Sequence, residues 1–179
     1  MKRIYEEVID QPDKDKLYQV QLATPAVPYS VFVHVDVIAR GTANNQRRSN
    51  QYCIKEIVWY QRLLGGASPH YSAFLLWDYQ PNKALPVVAD TLFTASSWPC
   101  VLDAEVRGRF LVLDHIMPNI EPNAQNNSRK TYYLDRVATT TNADTTGAIA
   151  NRVTGALLLY QSGSGSTPYN AFDIHFEEV

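Results

Sequence analysis

The stretch Tyr71–Phe93, YSAFLLWDYQPNKALPVVADTLF, decides the fold. Ala73-Phe74-Leu75-Leu76-Trp77 is an apolar run of strand length with bulk at odd and even positions alike. A strand with one wet face alternates, so an unbroken run reads as covered on both sides. Asp78-Tyr79-Gln80-Pro81-Asn82 ends it, because Pro81 has no amide hydrogen for a ladder and Asn82 accepts turn geometry. The Asp78 carboxylate is placed to cap the amide of Gln80 or Asn82 in an Asx-type turn. Leu85-Pro86-Val87-Val88 and Asp90-Thr91-Leu92-Phe93 are apolar but interrupted, which predicts a long connection lying over the strand. The chain's one helical candidate falls there, at Pro86 to Phe93.

Upstream, Tyr18, Val20 and Leu22 alternate with Gln19 and Gln21 as a short half-buried strand. Tyr29, Val31, Val33, Val35, Val37 and Ala39 predict the apolar face of an eleven-residue strand, with Ser30, His34 and Asp36 on the other face. A polar, basic loop follows from Arg40 to Asn50. Cys53 to Leu64 is the next long strand, closed by Gly65-Gly66. Downstream, Phe110 to Asp114 is mostly apolar, and Pro118, Pro122, Asn123, Asn126 and Asn127 mark a surface loop. Tyr132, Tyr133, Leu134 and Val137 predict another strand, whereas Thr139 to Thr146 is polar and unpatterned. Ala156 to Tyr160 is a short apolar run, and Gly163-Ser164-Gly165-Ser166 reads as a flexible turn. The end alternates cleanly, with Phe172, Ile174 and Phe176 inward and Asp173, His175 and Glu177 outward. Eight or nine strands make the chain antiparallel all-β. Long strands without a Cys–Trp–Cys spacing favour two sheets packed as a jelly roll over an immunoglobulin sandwich.

The 179 residues fit one domain, 1–179, with an extension and short strand over 1–28 before a core at 29–179. A chain this long buries roughly 70% of its unfolded surface without staples. Eleven Tyr against two Met suits pleated sheets. A net charge of −2 gives no whole-chain basic field for nucleic acid. Cys53 and Cys100, far apart and outside any CxxC, read as buried thiols in a reducing compartment. No apolar run is long enough to span a membrane, and no leader pattern opens the chain, so an intracellular soluble product is expected.

Chemistry is sparse. His34, His70, His115 and His175 are scattered, without the His-x-His pair and carboxylate of a cupin metal site. Nucleophile-elbow and phosphate-cradle patterns are missing. Asp10, Asp13 and Asp15 read as a solvated turn before a calcium site, and Asn126-Asn127-Ser128 as an unused sequon. Neither an enzyme nor a bound metal or cofactor is expected.

The order of residues carries more. Trp77-Asp78-x-Gln80-Pro81-Asn82 after an apolar strand, then Pro86 and Asp90-Thr91-Leu92, resembles single jelly-roll capsid proteins of small circular Rep-encoding single-stranded DNA viruses, the circovirus and geminivirus relatives. Arg109-Phe110-Leu111-Val112-Leu113-Asp114 is similar to their Arg-Phe-x-Val-Leu-x-Asp strand, with one residue fewer before the Asp. Gly41-Thr42 through Gln46-Arg47 resembles their Gly-Thr…Gln-Arg loop, and Leu157-Leu158-Leu159 with Phe172 to Phe176 fits the closing pair.

That resemblance implies an eight-stranded antiparallel jelly-roll sandwich of viral capsid type. Its strands would be Val31–Ala39, Cys53–Leu64, Tyr71–Tyr79, Val106–His115, Lys130–Val137, Val153–Gln161 and Tyr169–Glu178, plus one near 139–149. It implies a homo-oligomer of about sixty copies closing an icosahedral T=1-like shell, in a virion assembled in the host nucleus or cytoplasm, with no membrane partner. Gln80–Gly108 and Glu121–Arg129 are the expected subunit contacts. The sequence opens Met1-Lys2-Arg3 without the family's arginine-rich N-terminal arm. Either the arm has been removed, or the chain packages by other means or not at all, so viral nucleic acid, DNA or RNA, would be held weakly. The expected contacts are Lys2, Arg3, Arg47, Arg48 and Lys55, with salt bridging between subunits the competing role for Arg47 and Arg48. The competing function is a cellular jelly roll, a carbohydrate-binding or trimeric ligand module, with Tyr71, Tyr79, Tyr132 and Tyr133 as stacking faces.

Overall fold

A computed structural model describes residues 18–24, 29–43, 45–88, 103, 106, 108–142 and 144–179. The strands are β1 (Tyr18–Thr24), β2 (Phe32–His34), β3 (Gln51–Asp78), β4 (Phe110–Ile116), β5 (Gln125–Thr140), β6 (Arg152–Thr154) and β7 (Ala156–Glu178). They form one antiparallel seven-stranded sheet, and the described residues are all-β apart from a short 3-10 turn at Ile149–Asn151 and a single helical residue, Val88. Most of the helical candidate at Pro86 to Phe93 lies outside the described residues.

The sheet is built on a two-strand ribbon. β3 and β7 pair from Tyr52↔Glu178 to Asp78↔Ala156. The C-terminal half of β7 also pairs with β1, and the N-terminal half of β3 with β5. The other halves take β2 on β7 and β4 on β3. Gly65-Gly66 and Gly163–Ser166, expected to end strands, lie inside these long ones. Their role is a corner. Between the pairs Gly65↔Ser166 and His70↔Ser164, residues 66–69 of β3 face Gly165 alone. A β-carbon on Gly66 would meet the Gly165 carbonyl oxygen at 2.7 Å, and Gly165 sits at φ 61°. Close backbone approach and left-handed geometry both demand glycine here.

The corner folds the ribbon into a sandwich. Ile54, Ile57, Trp59 and Leu63 of the first half share one buried core with Tyr71, Ala73, Leu75 and Trp77 of the second, and with Leu157, Leu159, Phe172, Ile174 and Phe176 of β7. Trp59 and Phe172 stack with ring centres 5.8 Å apart. Near the corner the layers are tied by neutral polar groups. Tyr71 Oη donates to Gln161 Oε1 (2.7 Å), Gln61 Nε2 donates to Tyr71 Oη (2.8 Å), and Trp59 Nε1 donates to Asn170 Oδ1 (2.9 Å). Each is buried and partnered, as a low-dielectric interior requires.

The double-faced run behaves as its composition demands: Ala73 through Trp77 are all buried. Phe74 and Leu76 point away from the main core and join Phe32, Phe110, Leu158 and Tyr160 in a second cluster. Val88 and Val106, from the two ends of the long connection, pack against that cluster.

The segment before the basic loop departs most from its alternation. Only Phe32–His34 forms a ladder, and Val31 and Val37 are exposed while Phe32, Val35 and Ile38 are buried. Asp36, expected on the wet face, is fully buried. Its carboxylate accepts from Leu157 N–H (2.8 Å) and Tyr52 Oη (2.8 Å) and lies 3.1 Å from Arg152 Nη2 and 2.7 Å from His34 Nε2. A buried carboxylate needs that many donors, and turning Asp36 inward breaks the period. The backbone then bonds to itself, Val37 N to Val35 O and Ile38 N to Asp36 O.

Other boundaries shift as well. The expected strand near 139–149 is absent among the described residues; β5 instead runs on to Thr140, and β6 supplies a short edge partner. Asn126 to Arg129, expected in a loop, belong to β5 and pair with Leu63 to Tyr60.

Candidate nucleic-acid interface

The two motif stretches meet. Trp77 is buried and ends β3's inner-face row. The next side chain, Asp78, is wholly buried and receives Arg109 in a two-pronged ion pair, Nε to Oδ1 (2.8 Å) and Nη2 to Oδ2 (2.6 Å). Asp78 Oδ1 also accepts the Gln80 amide hydrogen (2.9 Å), the Asx-type turn foreseen from the sequence. Pro81 is buried beneath the turn, Ala84 N donates to its carbonyl, and Asn82 takes φ 51°. Phe110 is buried, with the Arg109 guanidinium 5.0 Å above its ring. Asp114 accepts Lys130 Nζ (2.5 Å) and Tyr132 Oη (2.6 Å), bridging β4 to β5. Burial and that carboxylate raise the Tyr132 phenol well above its ordinary range. These residues hold the fold together rather than display chemistry to a ligand.

The expected cations are not brought together. Lys2 and Arg3 lie outside the described residues. Arg47 is fully buried, donating to Ile38 O (3.1 Å) and Ser49 O (2.7 Å) and pairing with Asp144 Oδ2 (2.5 Å). Its charge is used inside the chain's own fold, and no face of it is open to a phosphate in this arrangement. Arg48 is exposed, beside the carboxylate of Glu178, which accepts its backbone amide. Lys55 Nζ is held by Asp135 (2.7 Å) and Glu177 (2.6 Å), and those two contacts raise its pKa. Two carboxylates around one ammonium leave no spare positive charge there.

A different pair of arginines, Arg62 and Arg129, is not clamped by a carboxylate among the described residues. On the outward face of the layer made by β3, β5 and β7, Tyr60 is paired with Arg129 and Arg62 with Tyr169. The Arg62 guanidinium lies 4.5 Å above the Tyr169 ring, and that of Arg129 lies 5.7 Å from the Tyr60 ring. All four are exposed. Among the described residues neither guanidinium forms an ion pair. The adjoining positions are Asn127, Gln125, Thr167 and Ala171, with Thr131 and Asp173 one ladder step beyond the Tyr60 row. The opposite end of the same face is acidic, carrying Glu56 on His175 (2.6 Å), Asp173, Glu177 and Asp135. A readable signal existed: Trp59-Tyr60-Gln61-Arg62-Leu63 alternates large buried groups with Tyr60 and Arg62, setting those two on one outward face.

A third feature is an open groove of about 550 Å³ between β4 and β5. Leu111, Leu113, Tyr132 and Leu134 form its floor against the main core, and Val112 and Tyr133 stand exposed at its rim. Among the described residues β4 pairs only with β3, and Gln125–Ala138 of β5 pair on one side only. Both strand edges along the groove are therefore unpaired. Neither protein-family models nor curated proteins match this chain.

Proposed function

We propose that the chain is a jelly-roll coat protein that assembles into an icosahedral shell of about sixty copies around single-stranded DNA. The pairing order carries the reading. Counting the halves of β3 and β7 separately gives eight strands, and leaves β6 as a short edge addition. One layer then runs first–eighth–third–sixth and the other second–seventh–fourth–fifth. That is the order obtained when a long antiparallel ribbon, first on eighth through fourth on fifth, is rolled around a core. Tyr18–Thr24 takes the first place, and Phe32–His34, the paired part of the expected Val31–Ala39, the second.

Within that roll the turn Asp78–Asn82 and the strand opening at Arg109, the two stretches most like the capsid proteins, lock together through one ion pair. The groove between β4 and β5 adds an apolar surface with free strand edges, which suits contact with a second copy better than exposure to water. No catalytic step is assigned. Mass measurement of the purified chain at neutral pH and moderate salt tests the proposal. A particle of about sixty subunits is expected. A clean monomer overturns it, and a clean trimer favours the trimeric-ligand alternative.

A further inference from the structure

We infer that the Arg62–Arg129 end of the outward β3–β5–β7 face binds single-stranded nucleic acid, its two arginines taking phosphates and its two tyrosines taking bases. This deepens the shell reading by naming the surface that meets the genome, and it rests on that reading only for which wall faces inward. Polynucleotide binding without sequence preference needs positive charge along a backbone track and aromatic faces beside it. Both are present on three adjacent strands. Tyr60 and Arg62 are two residues apart on β3, roughly 7 Å, comparable with the repeat of one extended nucleotide. Arg129 is the diagonal neighbour of Arg62 across the ladder, about 7–8 Å away. The Arg62 guanidinium lies over the Tyr169 ring, which holds its plane and leaves its N–H edge for a phosphate. Arg129 is held beside Tyr60 by a side-chain hydrogen bond and keeps its remaining N–H groups for one.

Charge selects the occupant. With neither guanidinium in an ion pair among the described residues, the two arginines form a local positive field that the net charge of −2 conceals. The acidic end begins near Glu56 and Asp173. Asp173, opposite Val58, lies four residues along the ladder from Arg62, roughly 13 Å, which is beyond a Debye length at physiological salt, whereas Arg129 feels the Glu56 carboxylate. A polynucleotide crossing β3 at Arg62 need not approach it.

The test is fluorescence anisotropy with labelled oligothymidylate and oligouridylate of about a dozen nucleotides, at about 50 and 200 mM salt. Binding in the range of about 1–100 μM is expected for the unaltered chain. Arg62→Gln with Arg129→Gln weakens it about tenfold or more at low salt and reduces the log–log salt slope by about 1.4, two single-strand phosphates' worth. Tyr60→Ala with Tyr169→Ala weakens it about tenfold with the slope kept, and Tyr→Phe at both positions binds normally. Unchanged affinity and slope in the double arginine variant overturn the inference, as does loss of binding with Arg48→Gln alone. So does a change in oligomer mass with oligonucleotide binding intact, which assigns the face to a second copy. The two readings separate cleanly. A chain that binds oligonucleotide through these residues but forms no particle refutes the shell, whereas particles whose face variants bind normally refute this surface.

Discussion

Asp78 and Arg109 are joined by two parallel hydrogen bonds, with the carboxylate wholly buried and the guanidinium about a quarter exposed. The asymmetry predicts unequal mutants. Arg109→Ala leaves a buried carboxylate with one amide donor and costs about 3–5 kcal/mol. Asp78→Ala frees a guanidinium that water can reach, costing about 2–3 kcal/mol. Asp78→Asn, which keeps an oxygen for Gln80 N–H, costs least. Urea unfolding of the three variants checks the ranking, and an Asp78→Ala cost above that of Arg109→Ala refutes it.

Acid stability follows from Asp36 and Asp144. Burial raises the Asp36 pKa, but Arg152, His34 and the Leu157 amide outweigh it and hold it below the usual value. Asp144 is likewise raised by burial and lowered further by the Thr146 and Gly147 amides, Asn151 and Arg47. A folded pKa below the unfolded one means the unfolded chain binds more protons. These two groups therefore give full stability above about pH 4, lost as pH falls through their folded values. Thermal melts between neutrality and pH 3 should show the midpoint falling mainly below about pH 4. Asp144→Asn should start lower and lose less.

Cys53 should be inert while the chain is folded. Burial and the neighbouring Asp135 carboxylate push its thiol up to about 12. Only the thiolate attacks, so at mildly alkaline pH labelling should run on the order of a thousandfold slower than in urea. A Cys100→Ser chain treated with a maleimide isolates the effect. Equal rates in the two conditions would show that Cys53 is open to solvent.

The corner can be stiffened only at a cost. Gly165→Ala forces a β-carbon into the left-handed region and should destabilise by about 1–2 kcal/mol. Gly66→Ala adds a clash with the facing backbone and should cost at least as much. Differential scanning calorimetry reads both, and a neutral Gly66→Ala would mean that the two strands do not approach as closely as described.

Local chemistry made some of this legible. Ala73–Trp77 announces its two buried faces in five letters, and Phe172, Ile174 and Phe176 give the closing strand its phase. What could not be read depends on partners far along the chain. Asp36 turns inward because Arg152 and Leu157 wait for it, and Arg47 is buried because Asp144 is. Glycines report that the backbone is freed at 65–66 and 163–165, but whether a strand ends or bends there is decided by the opposite ply. The Arg62 and Tyr169 pair lies in adjacent strands and far apart in sequence, so neither residue alone marked a surface.

The β3–β7 ribbon also fixes when the fold can close. Asp78 waits for Ala156, and Tyr52 waits for Glu178. On the ribosome, β4 and β5 can pair with one edge of β3 as they emerge, but its other edge must stay open until β7 has been made. Pairing this distant closes late and slowly, with hydrophobic edges open in the meantime. The nascent chain is thus most adhesive just before β7 emerges, and crowded synthesis on one polysome would trade correct pairing for ribbon exchange between neighbours.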